Sequence, residues 1–468
     1  MWGETSLRLD WTPANQEYTT GYRVYKGNEL LASLSGDLTT YAVSGLNPGT
    51  GYAFKVEALD RAGQWSQDGP GITVTTKSAV FPSSPGGNVP VQSDSGDLYP
   101  VSESELSNAA DGKVSLPLPK GKRGLLLPIR TAALLGGSEL IVRAEGVTVA
   151  IHPDTLSALA DLAGNGATPN GHLAFSIEKE TDPLSESTGQ LVTGPNAVLN
   201  AGGGIYRLKL AVVEGSGKER ELSSFPQPVE VEFPFDGSAV DKELAGVYRF
   251  DEINKRWEYV GGRLLSNRDA ITVQLNHFSA YAVLEYKKAF DDVPSGHWAH
   301  RALAVLAARQ IVKGVTDQAF QPQGKTTRAE AAALLARLLG LKASQKPAFR
   351  DIDASAWYAD AVAAAFEAHL VKGVTETDFQ PDAYVTREQL ASMLVHAYQY
   401  KKGSTEGVET ADISFADEEK IASWAVEDVR SAAQLGLMIG TGGNRFNAAS
   451  TATRAEVAQA VYQLLQKL

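Results

Sequence analysis

Cysteine is absent from the 468 residues of this chain, and long apolar runs are absent as well. Without cysteine the chain has no disulfide, no thiol nucleophile and no cysteine metal site. No apolar run approaches the roughly 18 residues that a membrane-spanning helix needs, so we expect no membrane insertion. Basic residues are also in the minority, with 43 against 55 acidic residues and a net charge of -12. We therefore expect no nucleic-acid partner.

The motifs of several enzyme classes are missing too. The chain contains no phosphate-binding loop, no nucleophile elbow and no zinc-protease helix motif. His297 and His300 lie three positions apart, but a third metal ligand is not evident. Carboxylate pairs such as Asp351 and Asp353 give no sign of the burial that shifts a pKa for acid–base catalysis. We predict that the chain is not an enzyme and has no catalytic residue, no metal and no cofactor.

A sequence unit occurs three times in the C-terminal part of the chain, and it carries an aspartate, a tryptophan and an arginine. The arginine follows the tryptophan by 30 residues in every copy, and the period is 59 and then 67 residues. The copies are Asp292, Trp298 and Arg328, then Asp351, Trp357 and Arg387, then Asp417, Trp424 and Arg454. Such periods indicate packed modules. The constant spacing favours three similar binding sites over one catalytic centre.

The end of each unit predicts a helix start with an unusual charge. Thr327 and Glu330 have the spacing of a capping box, and the other two copies repeat it with Glu or Gln as the second member. Arg328 then falls at the first helical position, where the helix dipole disfavours a cation. We predict an anion held there by backbone amides and the guanidinium. The alternative is an ion pair with the preceding aspartate, such as Asp292.

These motifs closely resemble S-layer homology domains in a tandem of three, over residues 288–468. The resemblance implies an all-α, pseudo-threefold helical trimer whose grooves bind secondary cell-wall polysaccharide, often pyruvylated. Peptidoglycan is a further possible partner. A pyruvyl carboxylate is an anion of the kind that we predict the arginines bind. The resemblance places the following residues at the glycan: Asp292, Trp298, Lys313, Gly314, Arg328, Asp351, Trp357, Lys372, Gly373, Arg387, Asp417, Trp424, Gly440 and Arg454. Ile439 replaces lysine in the third copy, which predicts a weaker or silent site there.

The N-terminal residues 1–77 alternate short β-rich segments with turns, which is typical of an all-β sandwich. The segment resembles a fibronectin type III domain: Trp11 takes the place of the core tryptophan, and residues 46–52, LNPGTGY, match the tyrosine corner. Most of the family's first strand is missing, so we expect a fragment of a longer protein. The resemblance favours a spacer domain, and sugar binding through an exposed Trp65 is the alternative.

The length suggests about three domains, and composition divides the chain further. Residues 78–100 are rich in Ser, Pro and Gly and predict a linker. Residues 101–286 predict a β-rich module with short helices. Its closing segment 276–283 resembles the end of modules that precede wall-anchoring repeats in bacterial surface proteins. The three helical repeats are assigned to 287–342, 346–402 and 411–468, and they are called the first, second and third repeat below.

These observations predict an extracellular protein that is held non-covalently on the bacterial cell wall or S-layer. The alternatives are the C-terminal part of a secreted polysaccharide-degrading enzyme and a lattice-forming structural protein of the S-layer. If the arginines bind the glycan, replacing Arg328 and Arg387 by alanine weakens wall binding strongly and leaves the helices folded.

Overall fold

The computed structural model describes most of the chain, and the chain divides into two compact units. Unit 1 contains Met1–Gly189, Gly203–Phe235 and Tyr248–Ala282, and unit 2 contains Gln190–Gly202, Asp236–Val247 and Val283–Leu468. The described residues are 6–12, 19–27, 29–36, 38–44, 46, 51–60, 65–66, 69–75, 97–162, 171–180, 192–194, 196–213, 219–222, 224–252, 254–404 and 413–468.

The N-terminal part of unit 1 contains two antiparallel sheets that share one core. Its strands are β1 (Ser6–Asp10), β2 (Thr19–Lys26), β3 (Glu29–Ser35), β4 (Thr40–Ser44), β5 (Gly51–Asp60) and β6 (Gly71–Thr75). β1 pairs with β4, and the other sheet has the order β3-β2-β5-β6. Tyr22, Val24 and Phe54 are buried between them, and Trp11 meets Tyr22 edge-on at 5.4 Å. Residues 47–50 of the predicted tyrosine corner lie outside the described residues.

Trp65 is not an open sugar platform in this domain. Its ring is partly buried, and the guanidinium carbon of Arg23 lies 4.0 Å from the ring centroid. A cation stacked on the ring occupies the face that a sugar would use. The contact argues against the alternative in which Trp65 binds a sugar.

The described residues between 97 and 288 are β-rich with short helices, and of this region the segments 190–202, 236–247 and 283–288 belong to unit 2. The strands of this region are β7 (Leu98–Pro100), β8 (Lys113–Pro117), β9 (Gly124–Pro128), β10 (Glu139–Ala144), β11 (Val147–Ile151), β12 (His172–Glu180), β13 (Val192–Gly194), β14 (Ala197–Val213), β15 (Glu219–Glu221), β16 (Val229–Pro234), β17 (Ala245–Asp251), β18 (Arg256–Gly261), β19 (Arg263–Leu264), β20 (Ala270–Leu275) and β21 (Ala280–Lys288). The helices are α1 (Glu103–Leu106), α2 (Thr131–Leu134) and α3 (Pro153–Asp161).

One sheet of this region has six strands in the order β19-β20-β16-β11-β10-β8. Along β11 and β16 every second side chain is buried, which is the period of a strand with one face on a core. In a second sheet, β12 pairs antiparallel with both β9 and β14, and β7 pairs parallel with β9. These pairings agree with the β-rich character predicted for residues 101–286.

Six α-helices follow among the described residues of unit 2, two from each repeat. They are α4 (His300–Ala308), α5 (Arg328–Leu339), α6 (Ala359–Glu367), α7 (Arg387–Lys402), α8 (Val426–Gln434) and α9 (Arg454–Lys467), and 3-10 helices span Lys242–Leu244 and Glu418–Lys420. The predicted capping boxes are present at the starts of α5, α7 and α9. None of the described helices is long and apolar enough to cross a membrane.

The repeats contact one another in a cyclic pattern. The long helices α5, α7 and α9 contact each other, while α6 packs on α5, α8 on α7 and α4 on α9. Each short helix therefore lies on a long helix of another repeat. Buried alanines such as Ala332 and Ala455 permit this close approach because their side chains are small.

A ring of backbone hydrogen bonds joins the three segments that precede the long helices. The amide of Thr326 donates to the carbonyl of Ala452, the amide of Ala452 donates to that of Val385, and the amide of Val385 donates to that of Thr326. All three residues are buried. The three helix starts are therefore fixed against each other by the main chain.

Candidate functional site: grooves shared between repeats

The three arginines at the helix starts reach from one repeat into the next. Each guanidinium uses two nitrogens, Nε and Nη2, to donate to two backbone carbonyls. Arg328 donates to Phe379 and Lys372 at 2.8 and 2.8 Å, Arg387 to Phe446 and Ile439 at 2.8 and 2.7 Å, and Arg454 to Phe320 and Lys313 at 2.9 and 3.2 Å. The order is cyclic: first to second repeat, second to third, and third to first.

The prediction that backbone amides hold an anion at the helix start is wrong, because these amides already donate hydrogen bonds within the protein. The amides of Arg328 and Ala329 donate to the carbonyls of Ala383 and Pro381 in the second repeat. The third amide, of Glu330, donates to the capping hydroxyl at 3.2 Å. The other two helix starts repeat this arrangement. No free amides remain at these helix starts for an anion.

The alternative pairing of Arg328 with Asp292 is also wrong. Arg328 lies on the second repeat, with its guanidinium carbon 4.6 Å from the ring centroid of Phe379. Carbonyls and an aromatic face are favourable partners for a buried cation. They supply the reason for a cation at the first helical position, since the side chain leaves its own helix and joins two repeats.

The third guanidinium nitrogen, Nη1, distinguishes the three arginines. Nη1 of Arg387 donates to Glu456 at 3.2 Å, and that of Arg454 donates to Glu330 at 3.5 Å. The corresponding capping residue beside Arg328 is Gln389, and no carboxylate in the described part of the chain lies within ion-pair distance of Arg328. Burial lowers the pKa of Arg387, and the Glu456 carboxylate opposes that shift.

The aspartates hold a turn of their own repeat. Asp292 accepts hydrogen bonds from the amides of Phe320 and Gln321 at 2.9 and 2.7 Å, and Asp351 and Asp417 do the same in their repeats. Gln321 has a left-handed backbone with φ of 58°. Burial acts to raise the pKa of Asp417, but the amide hydrogen bonds outweigh it and hold that pKa below its ordinary value. The carboxylates thus position the loop that carries the phenylalanine.

The glycines serve the same loop by leaving space. A Cβ at Gly314 would overlap the carbonyl oxygen of Thr316, and one at Gly373 would overlap that of Thr375. At Gly440 a Cβ would lie 2.8 Å from the carbonyl oxygen of Arg445. The loop closes too tightly for a side chain, so these positions shape the site through the main chain.

The tryptophans are exposed, although a ring near a helix start is more often part of a core. Trp298, Trp357 and Trp424 are 56, 64 and 57% exposed. A large aromatic ring left in water at the same place in three repeats marks a surface that is available to bind. The lysines Lys313 and Lys372 are exposed as well.

Groove A is the cavity of about 250 Å³ at the loop of the first repeat. All three repeats contribute to it: Lys313 and Gly314 come from the first, Trp357 from the second and Arg454 from the third. Its further lining residues are Val312, Val315, Phe320, Thr326, Glu330, Leu334, Arg337 and Ala458. The structure therefore regroups the predicted residues, because the tryptophan and arginine at this groove belong to different repeats from the lysine.

The sequence did not lead us to predict Arg337 and Leu334 as groove residues, and it predicted Glu330 only as a helix-capping residue. On α5 these three residues are at positions i, i+4 and i+7, which lie on one helix face. That spacing is the signal that identifies them, because the neighbouring positions on the helix are mostly buried alanines. Arg337 donates from Nη1 to the carbonyl of Ile311 at 3.3 Å, and its guanidinium carbon lies 6.0 Å from the Trp357 ring centroid.

The chemistry of groove A is that of an exposed aromatic ring between cations. The apolar face of a sugar ring packs well on tryptophan, and a guanidinium or ammonium group pairs with a carboxylate. An acidic sugar has both features.

Comparison with known proteins gives family matches for the two ends of the chain. The S-layer homology domain matches residues 289–332, 348–391 and 414–458, and the fibronectin type III domain matches residues 2–71. The chain thus carries three domains of the first kind and one of the second. It is a cell-wall-associated protein of the cell surface, and its S-layer homology domains indicate surface anchoring.

Similar proteins include enzymes and structural proteins. The chain is 37% identical over 246 residues to "Amylopullulanase" of Thermoanaerobacterium thermosulfurigenes, which is 52% of this chain and 13% of that protein. It is 36% identical over 186 residues to "Exoglucanase XynX" of Acetivibrio thermocellus, 40% of this chain and 17% of that protein. It is 36% identical over 174 residues to "S-layer protein sap" of Bacillus anthracis, and this match covers 37% of this chain and 20% of that protein. The matches thus span at most a fifth of these three relatives.

Proposed function

We propose that this chain anchors a surface protein to the bacterial cell wall by binding an acidic secondary wall polysaccharide in the grooves between its repeats. The observation that carries the proposal is groove A, where exposed Lys313 and Trp357 from two repeats lie beside Arg454 from a third. The ring offers a stacking surface for a sugar, and the exposed cations Lys313 and Arg337 offer a site for its carboxylate. A pyruvate ketal is one substituent that supplies such a carboxylate.

The cyclic contacts among the long helices support a pseudo-threefold helical unit with three equivalent groove positions. Binding at more than one groove to one polymer raises the overall affinity without any new contact, because the later binding events become intramolecular. The association is non-covalent, and salt is expected to weaken it because surface charges are screened.

The role that we propose for this chain is attachment without catalysis. The names of two relatives, an amylopullulanase and an exoglucanase, favour a second candidate, in which the chain is the attachment part of a polysaccharide-degrading enzyme. The name of the third favours an S-layer lattice protein. Release of reducing sugar from starch, xylan or cellulose by this chain would support the first alternative, and ordered two-dimensional arrays would support the second.

The test is co-sedimentation of the full chain with purified bacterial cell walls, before and after chemical removal of the secondary polysaccharide. We expect the chain to pellet with intact walls and to stay in the supernatant with stripped walls. Pelleting with both preparations would replace the polysaccharide by peptidoglycan as the partner. Failure to pellet with either would overturn the anchoring proposal.

A further inference from the structure

The three junctions in the cycle of repeats differ in how the chain joins them. α6 packs on α5 and α8 packs on α7, and the two helices of each pair are consecutive in the chain. α4 and α9 also pack on each other, but they are the first and the last of the six helices, so no linker joins them directly. Bringing distant segments together costs more conformational entropy than bringing near ones together. The α4–α9 junction therefore depends most on side-chain contacts.

The arginine contacts at the helix starts are also loosest at this junction. Arg454 joins the third repeat to the first, and its Nη2 lies 3.2 Å from the carbonyl oxygen of Lys313. The corresponding distances for Arg328 and Arg387 are 2.8 and 2.7 Å. The side chain of Arg454 is 15% exposed, and that of Arg387 is 6% exposed. The contacts at the helix starts hold only the first end of α9, so its other end needs a separate contact to stay on α4.

A segment from outside the repeats supplies that contact. Residues 241–244, called the strap below, contain the 3-10 helix Lys242–Leu244, and they belong to the same compact unit as the helices. Buried Leu244 packs with Val305 of α4, and Tyr462 of α9 packs against the same apolar cluster. The strap therefore lies on both helices of the junction, at the end of α9 that is remote from the helix start.

The carboxylate of Glu243 in the strap also contacts both helices. On α4 it accepts a hydrogen bond from Nε of Arg301 at 2.9 Å. On α9 it accepts one from the hydroxyl of Tyr462 at 3.3 Å and one from the side-chain amide of Gln466 at 2.6 Å. Arg301 donates a further hydrogen bond to Asp241 at 2.9 Å. Because hydrogen bonds to charged groups are the stronger ones, this carboxylate connects α4 to α9.

A second carboxylate fixes the strap from the side of the β-strands. Glu285 on β21 is 1% exposed and accepts a hydrogen bond from the amide of Asp241 at 3.0 Å. It also accepts one from Nδ2 of Asn200 on β14 at 2.9 Å and pairs with Nζ of Lys287 at 3.1 Å. A buried carboxylate with three partners is well satisfied. The strap thus has a support of its own that does not involve α4 or α9.

We infer that the strap closes the cycle of repeats at the junction between the third and the first repeat. Glu243 and Leu244 are positioning residues for groove A, because that groove combines Arg454 of the third repeat with Lys313 of the first. Without the strap, α4 separates from α9 more often, while α6 and α8 stay in place. The inference uses contacts within one compact unit and does not depend on which ligand groove A binds.

The test is hydrogen exchange of the full chain, read helix by helix. Glu243→Ala with Leu244→Ala removes both the carboxylate and the apolar contact of the strap. We expect amide exchange in α4 and in the last turn of α9 to accelerate roughly tenfold or more, and exchange in α6 and α8 to stay unchanged. Glu243→Gln keeps the size of the side chain and removes only the charge that pairs with Arg301. This milder variant should show a smaller acceleration in the same two helices.

Glu367→Ala is the matched control at a junction that the chain itself joins. Glu367 on α6 accepts hydrogen bonds from the amides of Ser344 and Gln345 in the linker after α5, both at 2.9 Å. Its loss should leave exchange in α4 and α9 unchanged. Unchanged exchange in α4 of the strap variants, or equal acceleration in α4, α6 and α8, would overturn the inference.

Co-sedimentation with cell walls tests the consequence for groove A. We expect the strap variants to bind walls more weakly than the wild type and the Glu367→Ala control. Unchanged wall affinity together with faster exchange in α4 would contradict the positioning role of Glu243 and Leu244. Walls that do not retain the wild-type chain would overturn the proposed function, and the exchange experiment would still decide whether the strap closes the cycle.

Discussion

The helix starts and the groove rims of the repeats both place cations beside aromatic rings. Only the cations at the rim are exposed and have nitrogens available to donate to a ligand. At the helix starts, Arg328 and Arg387 are about 95% buried, and two nitrogens of each donate to carbonyls of the next repeat. At the rim of groove A, Lys313 and Arg337 are exposed. Residue type alone therefore does not identify a ligand site, whereas burial and the partners of each nitrogen do.

The fibronectin-like domain contains a further contact between an arginine and a tryptophan, which can be compared with that at groove A. Arg23 lies 4.0 Å from the ring centroid of Trp65, while Arg337 lies 6.0 Å from that of Trp357. The closer contact covers a ring that is partly buried, and the looser one leaves Trp357 64% exposed. An arginine and a tryptophan thus close a surface in one domain and leave an open site in the other.

The largest effect is expected when the helix-start arginines are removed. Arg328→Ala with Arg387→Ala leaves four buried or partly buried carbonyls without their donors, and each charged hydrogen bond contributes about 1.5–3 kcal/mol. We expect the free energy of unfolding of the repeats to fall by several kcal/mol, and wall binding to be lost with it. The sequence-based expectation that the helices remain folded is therefore revised. Thermal unfolding followed by circular dichroism measures the change.

Arg350→Ala is the matched control for this loss. Arg350 is an exposed arginine of the same repeat unit and pairs with Asp378 at 2.8 Å. An exposed ion pair contributes at most about 1 kcal/mol, so this variant should melt close to the wild type. A double helix-start variant that melts like Arg350→Ala would show that the buried contacts do not join the repeats.

Much of this organisation could be predicted from the sequence. The repeats, the capping boxes and the β-rich N-terminal half follow from spacing and alternation, which are local properties of the chain. The fourteen predicted site residues include Lys313, Trp357 and Arg454, which line groove A together.

The composition of each groove could not be predicted in the same way. The spacing from Trp298 to Arg328 is constant, yet Arg328 donates to the loop of the second repeat. Which loop a helix start meets depends on how the repeats pack, and that is not a local property. The use of the helix amides by neighbouring carbonyls escaped prediction for the same reason, because residues such as Ala383 lie more than 50 positions away.

The second effect is loss of binding without loss of stability. Trp357→Ala removes an exposed ring from groove A, so the hydrophobic and stacking contribution to a bound sugar disappears while little buried area is lost. We expect wall affinity to fall roughly tenfold with a melting temperature near that of the wild type. Co-sedimentation over a range of protein concentrations measures the affinity.

Trp65→Ala in the fibronectin-like domain is the control for this variant. It removes a ring of the same size that Arg23 covers, so wall affinity should stay unchanged. Equal losses of affinity in the two variants would contradict the distinction between open and closed rings, and would return sugar binding to the fibronectin-like domain.

The smallest effect concerns the ion pair of the control residue itself. Hydrogen bonds from Arg350 and then Thr375 and Thr377 lower the pKa of the Asp378 carboxyl to about 2. A carboxyl whose pKa is depressed on folding stabilises the fold above its unfolded value near 4, and this contribution is lost as the pH falls towards 2. Asp378→Asn should therefore lower the melting temperature slightly at pH 7, and the difference from wild type should shrink between pH 4 and pH 2.

Because Asp378 and Arg350 lie on the solvent side of the loop, wall binding at pH 7 should not change. A pH-independent difference in melting temperature would mean that the carboxyl acts through its shape and hydrogen bonds and not through its charge.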